Sequence, residues 1–222
     1  MALQAGPPGV AAIADERQRA ERMADGDRRA RFLASRAWLR VVLGRYAGLD
    51  AAAVRFVVAG RGKPSVVNGG DLCFSLSRSA DVAFIAVTRG RSVGVDVERV
   101  RGDLDHDVLA ERFFSPAEAD GLRRLPEPDR RDVFFGLWVR KEAVLKASGA
   151  GLGDGLSHID VRGDRVAGRW SVASLDAGPG AAAAVAVEGR MGPCATRSIS
   201  VLPAPGPSEL DLGGAPGQIP VF

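Results

Sequence analysis

Two stretches decide the fold: Gly94-Val95-Asp96-Val97-Glu98 (GVDVE) and, some forty residues later, Trp138 to Lys146 (WVRKEAVLK). In a β-strand, side chains alternate between two faces. The two valines of the first stretch therefore point one way, and Asp96 and Glu98 point the other. The valines form a core face, whereas the two carboxylates repel each other unless a cation lies between them.

The second stretch adds a third carboxylate, Glu142, on a predicted helix one turn after Trp138 and one turn before Lys146. If Glu142 meets Asp96 and Glu98, the three form an oxygen-rich site that suits Mg²⁺, an ion that usually retains waters and substrate phosphates in its shell. The same residues also fit a plainer interpretation, a strand with a solvated acidic edge and an ordinary Glu–Lys pair on a helix. Spacing alone leaves both interpretations open.

Length and composition narrow the class of protein. With 222 residues, the chain is long enough for one large domain or two small ones. Its net charge of +3 and its excess of arginine favour an anionic ligand or an acidic partner. Cys73 and Cys194 are too few for a disulfide framework or a zinc site, and His106 and His158 are too few for a multi-histidine metal site. No apolar run could span a bilayer and no secretory h-region is visible, so we expect a cytoplasmic protein.

The first part of the chain predicts a lead-in and two helices. Residues 1–12 are rich in Gly, Pro and Ala and predict a loose segment. Residues 15–23 predict a short charged helix, and residues 28–46 predict a longer one that Asp27 caps and that ends near Gly48.

Two basic segments are candidates for binding an anion. Arg29, Arg36 and Arg40 form a stripe on the longer helix, which we interpret as a solvated face. The segment 60–64 (GRGKP) combines glycines, cations and a proline, so it is a possible phosphate loop. It is not a P-loop, because the Gly-Lys-Ser/Thr spacing is absent.

A set of short strands follows. Residues 72–77 alternate between apolar and polar, 78–81 predict a turn, and 82–87 predict a returning strand. A second turn at 88–92 leads into the strand 94–98. Three strands joined by short turns predict an antiparallel meander.

The later part of the chain predicts helices and then strands. Residues 115–118 (SPAE) carry a capping-box spacing with proline at the first helical position. A long helix is predicted from Asp129 to Gly149 and strands at 157–161, 166–172 and 181–187. The order echoes the first part, with SLSRSADVAFIAVTRGR matched by SLDAGPGAAAAVAVEGR, so we predict two similar α+β halves.

Five motifs together resemble those of the 4′-phosphopantetheinyl transferases of the Sfp type. They are GRGKP at 60–64, FSLSRS at 74–79, VGVDVE at 93–98, RFFSPAE at 112–118 and WVRKEAVLKASGAGL at 138–152. The resemblance spans roughly residues 13–187 and implies two pseudo-twofold-related halves, each a small antiparallel sheet packed with a long helix, with the active site in the cleft between them. The predicted boundaries are 1–12 for the lead-in, 13–104 and 105–202 for the halves, and 203–222 for a Pro/Gly-rich tail.

The resemblance also implies a reaction. The phosphopantetheine arm of coenzyme A would pass to a serine of an apo acyl or peptidyl carrier protein of polyketide, nonribosomal peptide or fatty acid synthesis, releasing adenosine 3′,5′-bisphosphate. Asp96, Glu98 and Glu142 match the family's magnesium ligands, and Glu142 also matches the residue that takes the serine proton. Lys146 matches a lysine that contacts the CoA phosphates.

The nucleotide side of the site carries one departure from the family. Ser77 and Arg78 occupy the positions of a Ser-His pair that binds the 3′-phosphate, and arginine here replaces histidine. Because a guanidinium stays charged and can bind phosphate through two hydrogen bonds, we expect binding to survive with less sensitivity to mildly basic pH. Lys63 and Pro64 match the family's GKP loop. The family's basic helix, where one or two arginines or lysines hold the nucleotide, corresponds to Arg28, Arg31 and Arg36.

Other residues receive structural predictions. Trp138 is expected to pack in the core, and Glu118 to cap a helix rather than to bind the metal. Cys73 is expected to be small and partly buried. His106 and His158 are expected at the surface.

Two other functions remain open from the sequence. A magnesium-dependent phosphodiesterase or nuclease would use the same carboxylates with water as nucleophile. A non-catalytic CoA-binding or carrier-docking module would be expected to have lost an acidic ligand, whereas all three are present. We expect a monomer, because two halves in one chain already supply a cleft. We expect no nucleic-acid partner, since the arginines do not form an extended stripe with aromatic residues, and no membrane partner.

Overall fold

The computed structural model describes residues 13–58, 63–150 and 155–192. The predictions made for the lead-in, for Gly60 to Gly62 and for the tail lie outside these residues. Of the described residues, 13–55 and Gly192 form one compact unit and 56–191 form another.

In the described residues, helices and antiparallel strands occur in separate runs along the chain: two helices, five strands, three helices and three strands. This segregation confirms the α+β class. The helices are α1 (Ala14–Glu21), α2 (Gly26–Ala47), α3 (His106–Phe113), α4 (Pro116–Arg123) and α5 (Glu127–Ser148). The strands are β1 (Phe56–Val58), β2 (Pro64–Val66), β3 (Leu72–Ser79), β4 (Val82–Arg89), β5 (Val93–Arg99), β6 (Arg165–Val166), β7 (Trp170–Leu175) and β8 (Ala181–Glu188). None of the helices in the described ranges is long and apolar enough to cross a membrane.

The first unit contains α1 and α2. The side chain of Asp25, not Asp27, accepts a hydrogen bond from the Arg28 backbone N–H at 3.1 Å, so the predicted cap was placed two residues too late. Gly48 ends α2 as predicted, in the left-handed conformation at φ 68° that glycine adopts without strain.

The basic stripe of α2 is not a solvated face. The buried carboxylate of Glu16 in α1 accepts a hydrogen bond from Arg36 Nε at 3.1 Å and also pairs with Arg40, whose side chain is 0% exposed. Arg29 donates to two backbone carbonyl oxygens at the end of α1 and just beyond it. The prediction failed because the counter-charge comes from another helix, which the pattern of α2 alone does not reveal.

The strands of the second unit confirm the hairpin but not the meander. Strands β3 and β4 pair antiparallel along their full length, with Leu72 opposite Arg89 and Ser79 opposite Val82. Strand β5 does not continue this sheet; it pairs with β8 in a four-stranded sheet of order β5-β8-β7-β6. A valine-rich strand can pair with several partners, so short turns alone do not fix its neighbour.

Helix α5 lies against this four-stranded sheet at close range. A Cβ atom at Gly94 would overlap the backbone of Ala143 and Ala147, so only glycine allows β5 and α5 to approach this closely. The core between them includes Val139, Ala143, Val144 and Ala147 of α5 with Trp170, Val172, Ala184 and Ala186 of the sheet. The helix ends at Gly149, as predicted.

Two strand predictions and one histidine prediction were wrong. Residues 157–161 do not form a strand, since a 3₁₀ turn occupies Leu156–His158. Ala167 and Gly168 have φ of 49° and 66° and form a turn that divides the predicted strand 166–172. His106 is half-buried, with its ring 5.0 Å from that of Phe134, because α3 packs on aromatic residues of α5. His158 is exposed and Cys73 is half-buried, as predicted.

Candidate active site

Three carboxylates line a single cavity in the second unit. Asp96 and Glu98 reach it from β5 and Glu142 from α5, and the cavity has a volume of about 370 Å³. Its complete lining is Leu76, Ser77, Arg78, Asp96, Glu98, Trp138, Glu142 and Lys146. The acidic cluster suits a cation, whereas Arg78 and Lys146 beside it suit negatively charged groups of a substrate.

Local structure explains the convergence. Strand alternation places Asp96 and Glu98 on the same side of β5, while the valines between and beside them are buried. On α5, Trp138, Glu142 and Lys146 are spaced four residues apart and therefore share one helix face. Because Gly94 brings β5 and α5 together, these two faces border the same space.

Lys146 is the ion-pair partner of Asp96. Its Nζ lies 2.6 Å from Asp96 Oδ1 and donates a hydrogen bond to Ser77 Oγ at 2.9 Å. Ser77 donates its own hydroxyl proton to Asp96 Oδ1 at 2.8 Å. The predicted catalytic lysine is thus held between the acidic strand and the serine of β3.

The remaining carboxylates are costly to ionise where they lie. Burial raises the pKa of Glu142 to about 7, with further contributions from the charges of Asp96 and Glu98 against the opposing effect of Lys146. Burial also raises the pKa of Glu98, partly opposed by a hydrogen bond from Ser79. Mutual repulsion among these groups is the electrostatic condition that a bound cation would relieve.

The donor set fits a hard divalent cation in its chemistry. Asp96 Oδ2 and Glu142 Oε1 are buried acceptor atoms without a hydrogen-bond partner among the described residues. As the side chains lie, no group of three His, Cys, Asp or Glu in the described ranges is arranged to hold a metal ion. Mg²⁺ usually takes one or two protein carboxylates with waters and phosphate oxygens, which two of these residues could supply as they lie, whereas a site formed by all three requires their side chains to move closer together.

The other predicted ligand residues lie in different places. Arg78 is exposed at the cavity, whereas Lys63 and Pro64 are not part of its described lining. Lys63 Nζ donates to the carbonyl oxygen of Val93, and burial lowers the pKa of Lys63 to about 8. The remaining three, Arg28, Arg31 and Arg36, belong to α2 in the first unit.

Glu118 and Trp138 have the structural roles predicted for them. Glu118 completes a capping box with Ser115, accepts the backbone N–H of Val161 at 2.8 Å and pairs with Lys141 at 2.7 Å, with both charged side chains 0% exposed. It does not belong to the lining of the carboxylate cavity. Trp138 packs edge-on against Phe113 at 5.6 Å, and it also forms part of the cavity wall, a contact the prediction did not include.

Sequence reasoning also missed Ser79. Its hydroxyl donates a hydrogen bond to Glu98 Oε2 at 2.8 Å. The available signal was the period-two run of serines at 75, 77 and 79, which places three hydroxyls on one face of a strand.

A larger depression lies elsewhere on the second unit. It has a volume of about 650 Å³ and extends from His158 to Ala167. In its wall, Arg162 pairs with Asp160 at 2.6 Å and Arg165 donates to the carbonyl oxygens of Gly168 and Gly189, so both arginines already have partners. The smaller cavity, with its unpaired buried oxygens, is therefore the better candidate for chemistry.

Comparison with known proteins identifies the class of enzyme that carries such a site. A family model described as the 4′-phosphopantetheinyl transferase superfamily matches residues 92–187, the segment from β5 to β8. The chain is 38% identical over 188 residues to the 4′-phosphopantetheinyl transferase HetI of Nostoc sp., covering 79% of this chain and 78% of HetI. It is 31% identical over 154 residues to a 4′-phosphopantetheinyl transferase of Bacillus subtilis, covering 69% and 67%. It is also 31% identical over 125 residues to Sfp of Bacillus subtilis strain 168, covering 56% and 54%.

The chain therefore belongs to the 4′-phosphopantetheinyl transferase superfamily. By its description, this superfamily consists of enzymes that transfer a 4′-phosphopantetheinyl group. The fold class and the enzyme class predicted from the five motifs are thereby confirmed.

Proposed function

We propose that this chain transfers the 4′-phosphopantetheine group of coenzyme A to a serine of an apo acyl or peptidyl carrier protein in a magnesium-dependent reaction. The observation that supports this best is the shared cavity of Asp96, Glu98 and Glu142, with Lys146 beside them. In this reaction the serine Oγ forms a bond to the β-phosphorus of coenzyme A and the P–O bond to the nucleotide breaks. Adenosine 3′,5′-bisphosphate leaves with the electron pair of that bond.

Glu142 is the proposed acceptor of the serine proton. Its side chain lines the cavity, and its buried Oε1 has no partner in the described chain that would compete for that proton. A carboxylate remains a weak base relative to an alkoxide. Proton transfer therefore accompanies formation of the phosphorus–oxygen bond rather than preceding it.

Lys146, Ser77 and Arg78 are the proposed phosphate-binding groups. Lys146 lies between the acidic strand and Ser77, where its ammonium can turn from Asp96 to a substrate phosphate oxygen. Arg78 is exposed at the same cavity, so its guanidinium is accessible to the 3′-phosphate. The proposed roles of Lys63, Pro64, Arg28, Arg31 and Arg36 in nucleotide binding rest on the motif match alone.

Asp96, Glu98 and Glu142 are the residues that would hold Mg²⁺. When bound, the ion would neutralise negative charge on the diphosphate and on the leaving group. When no metal ion is bound, Lys146 neutralises the charge of Asp96, so the repulsion within the acidic cluster is reduced before the substrate binds.

The partners and setting of this reaction are also proposals. Carrier proteins are commonly acidic, so the positive net charge of +3 favours their association. We further propose a cytoplasmic monomer built of two halves, 13–104 and 105–202, serving polyketide, nonribosomal peptide or fatty acid synthesis. In support of the two halves, the cavity draws side chains from both ranges.

Mass spectrometry of an apo carrier incubated with coenzyme A, Mg²⁺ and this protein tests the proposal. We expect one phosphopantetheinyl adduct on one serine, lost on addition of a chelator and lost in Asp96→Ala. Consumption of coenzyme A without a carrier would instead support the hydrolase alternative. An adduct that forms equally well in chelator would contradict the proposed role of the metal.

A further inference from the structure

Strand β5 is bridged to β3 by serine side chains instead of a backbone ladder. Among the described strands it forms the edge of its sheet and pairs with β8 alone. On its other side, backbone N–H groups of alternate residues donate to serine hydroxyls of β3. The three bonds are Val95 N to Ser75 Oγ at 3.1 Å, Val97 N to Ser77 Oγ at 3.3 Å and Arg99 N to Ser79 Oγ at 3.0 Å.

Each hydroxyl that accepts such a bond still has a proton to donate. Ser77 donates to Asp96 Oδ1 and Ser79 donates to Glu98 Oε2, both at 2.8 Å. In each case the carboxylate belongs to the residue just before the one whose N–H the serine accepts. The corresponding residue for Ser75 is Gly94, which has no side chain, so Ser75 holds the backbone and no carboxylate.

The two carboxylates differ in how they are held. Asp96 Oδ1 receives hydrogen bonds from both Ser77 and Lys146, whereas the described hydrogen bond to Glu98 comes from Ser79. Glutamate also has one more rotatable bond than aspartate and loses more rotamer freedom when it is fixed. A group that already restricts Glu98 lowers the entropy that ligand binding must still remove.

We propose that Ser79 is a positioning residue. Its hydroxyl proton orients the Glu98 carboxylate toward the divalent cation, and its hydroxyl oxygen accepts the Arg99 N–H at the edge of β5. The inference rests on the proposed function, because it assigns Ser79 a role in the metal site of that reaction. Groups that hydrogen-bond a metal ligand typically change metal affinity about 10-fold to 100-fold when they are removed.

The test compares two serine-to-alanine variants in the full chain. Ser79→Ala loses both the N–H acceptor and the carboxylate donor, whereas Ser75→Ala loses only an N–H acceptor. Mn²⁺, which takes the same oxygen ligands as Mg²⁺, is titrated into each protein without coenzyme A or carrier, and free Mn²⁺ is followed by electron paramagnetic resonance. We expect Ser79→Ala to bind Mn²⁺ about 10-fold more weakly than the wild type, and Ser75→Ala to match the wild type.

A conservative variant separates the hydroxyl from the packing. Ser79→Thr keeps the hydroxyl and suits a strand, so it should restore Mn²⁺ affinity. In transfer assays, Ser79→Ala should need about 10-fold more Mg²⁺ for half-maximal rate, with kcat largely regained at saturating Mg²⁺. Should Ser79→Ala not fold, Ser79→Cys, with its weak donor, takes its place and should also bind Mn²⁺ more weakly.

Equal Mn²⁺ affinity in Ser79→Ala, Ser75→Ala and the wild type would overturn the inference. Failure of Ser79→Thr to restore affinity would overturn it as well, since the hydroxyl would then not be the cause. A wild-type protein that binds Mn²⁺ but leaves the apo carrier unmodified would contradict the proposed transfer reaction instead. The Mn²⁺ affinities of the variants would still decide the role of Ser79 in that case.

Discussion

Two ion pairs on the same helix differ in how completely their charges are satisfied. Lys141 and Glu118 are both 0% exposed; Glu118 also accepts two backbone N–H groups, and Lys141 donates to two carbonyl oxygens. Lys146 is 33% exposed and pairs with Asp96, whose Oδ2 is buried without a partner in the described chain. The first pair fixes the positions of α4, α5 and the loop at Val161. The second pair leaves one acceptor atom, Asp96 Oδ2, without a hydrogen bond in a residue that lines the cavity.

This difference teaches how to separate structure from function among buried charges. Burying an ion is expensive, and a fold recovers the cost when hydrogen bonds satisfy the remaining donors and acceptors. A buried carboxylate that stays incompletely satisfied beside open space is retained for another reason, such as binding a ligand. By this criterion Glu118 is a structural residue, and Asp96 and Glu142 are the candidates for ligand binding.

Breaking the satisfied pair should give the largest effect on stability. Lys141→Met leaves the Glu118 carboxylate buried without its cation, so we expect the free energy of unfolding to fall by about 3–5 kcal/mol in urea titrations. The comparison variant, Lys146→Met, also leaves a buried carboxylate, but Asp96 keeps the hydrogen bond from Ser77 and borders a cavity, so we expect a smaller loss than in Lys141→Met. The double variant Glu118→Gln/Lys141→Met removes the uncompensated charge but should regain only part of the loss, because the amide NH2 of glutamine would face one of the two backbone N–H groups that Glu118 accepts. Equal destabilisation by Lys141→Met and Lys146→Met would show that the two pairs do not differ as described.

The second prediction tests the cost of the unsatisfied carboxylates. The pKa of Glu142 is raised in the folded protein to about 7 from an ordinary 4.5, so the folded state binds this proton more tightly than the unfolded state does. Its contribution to stability is therefore present below pH 4.5 and is lost as the pH rises through 7. Without metal at pH 8, the free energy of unfolding of Glu142→Gln should exceed that of the wild type by about 1–2 kcal/mol, a value that allows for the partial exposure of this side chain.

Thermal unfolding with and without Mg²⁺ measures this effect. At pH 4.5 the advantage of Glu142→Gln should vanish, since the wild-type carboxyl is then protonated when folded. At pH 8, Mg²⁺ should stabilise the wild type more than the variant, because a ligand that binds only the folded state adds to its stability. A variant that is no more stable than the wild type at pH 8 would show that Glu142 bears no electrostatic cost.

Sequence reasoning succeeded where the cause is local. The Ser115–Glu118 capping box, the end of α5 at Gly149 and the side-chain alternation of β5 all depend on residues within a turn or two. The resemblance of the motifs to a known family, rather than spacing alone, also predicted which three carboxylates border one cavity. The local features are encoded by side-chain periodicity and by the residues at helix ends.

It failed where the cause is distant in the chain. Pairing of β5 with β8 joins residues about ninety positions apart, and the valine pattern of β5 does not specify that partner. Arg40 was assigned to solvent because its counter-charge, Glu16, is contributed by a different helix. Ser79 was overlooked because its significance depends on β5 lying beside β3 without a backbone ladder.

The smallest expected effect concerns the exposed cation of the cavity. Arg78 stays protonated at all physiological pH values, so its contribution to coenzyme A binding should not change between pH 6 and pH 8.5. In Arg78→His the imidazole, with an ordinary pKa of about 6.5, loses its charge over this range. The KM for coenzyme A should therefore rise several-fold with pH in Arg78→His relative to the wild type, and Arg78→Lys should follow the wild type. If the ratio of KM values for Arg78→His and wild type is constant across the range, Arg78 does not contact the substrate's phosphate.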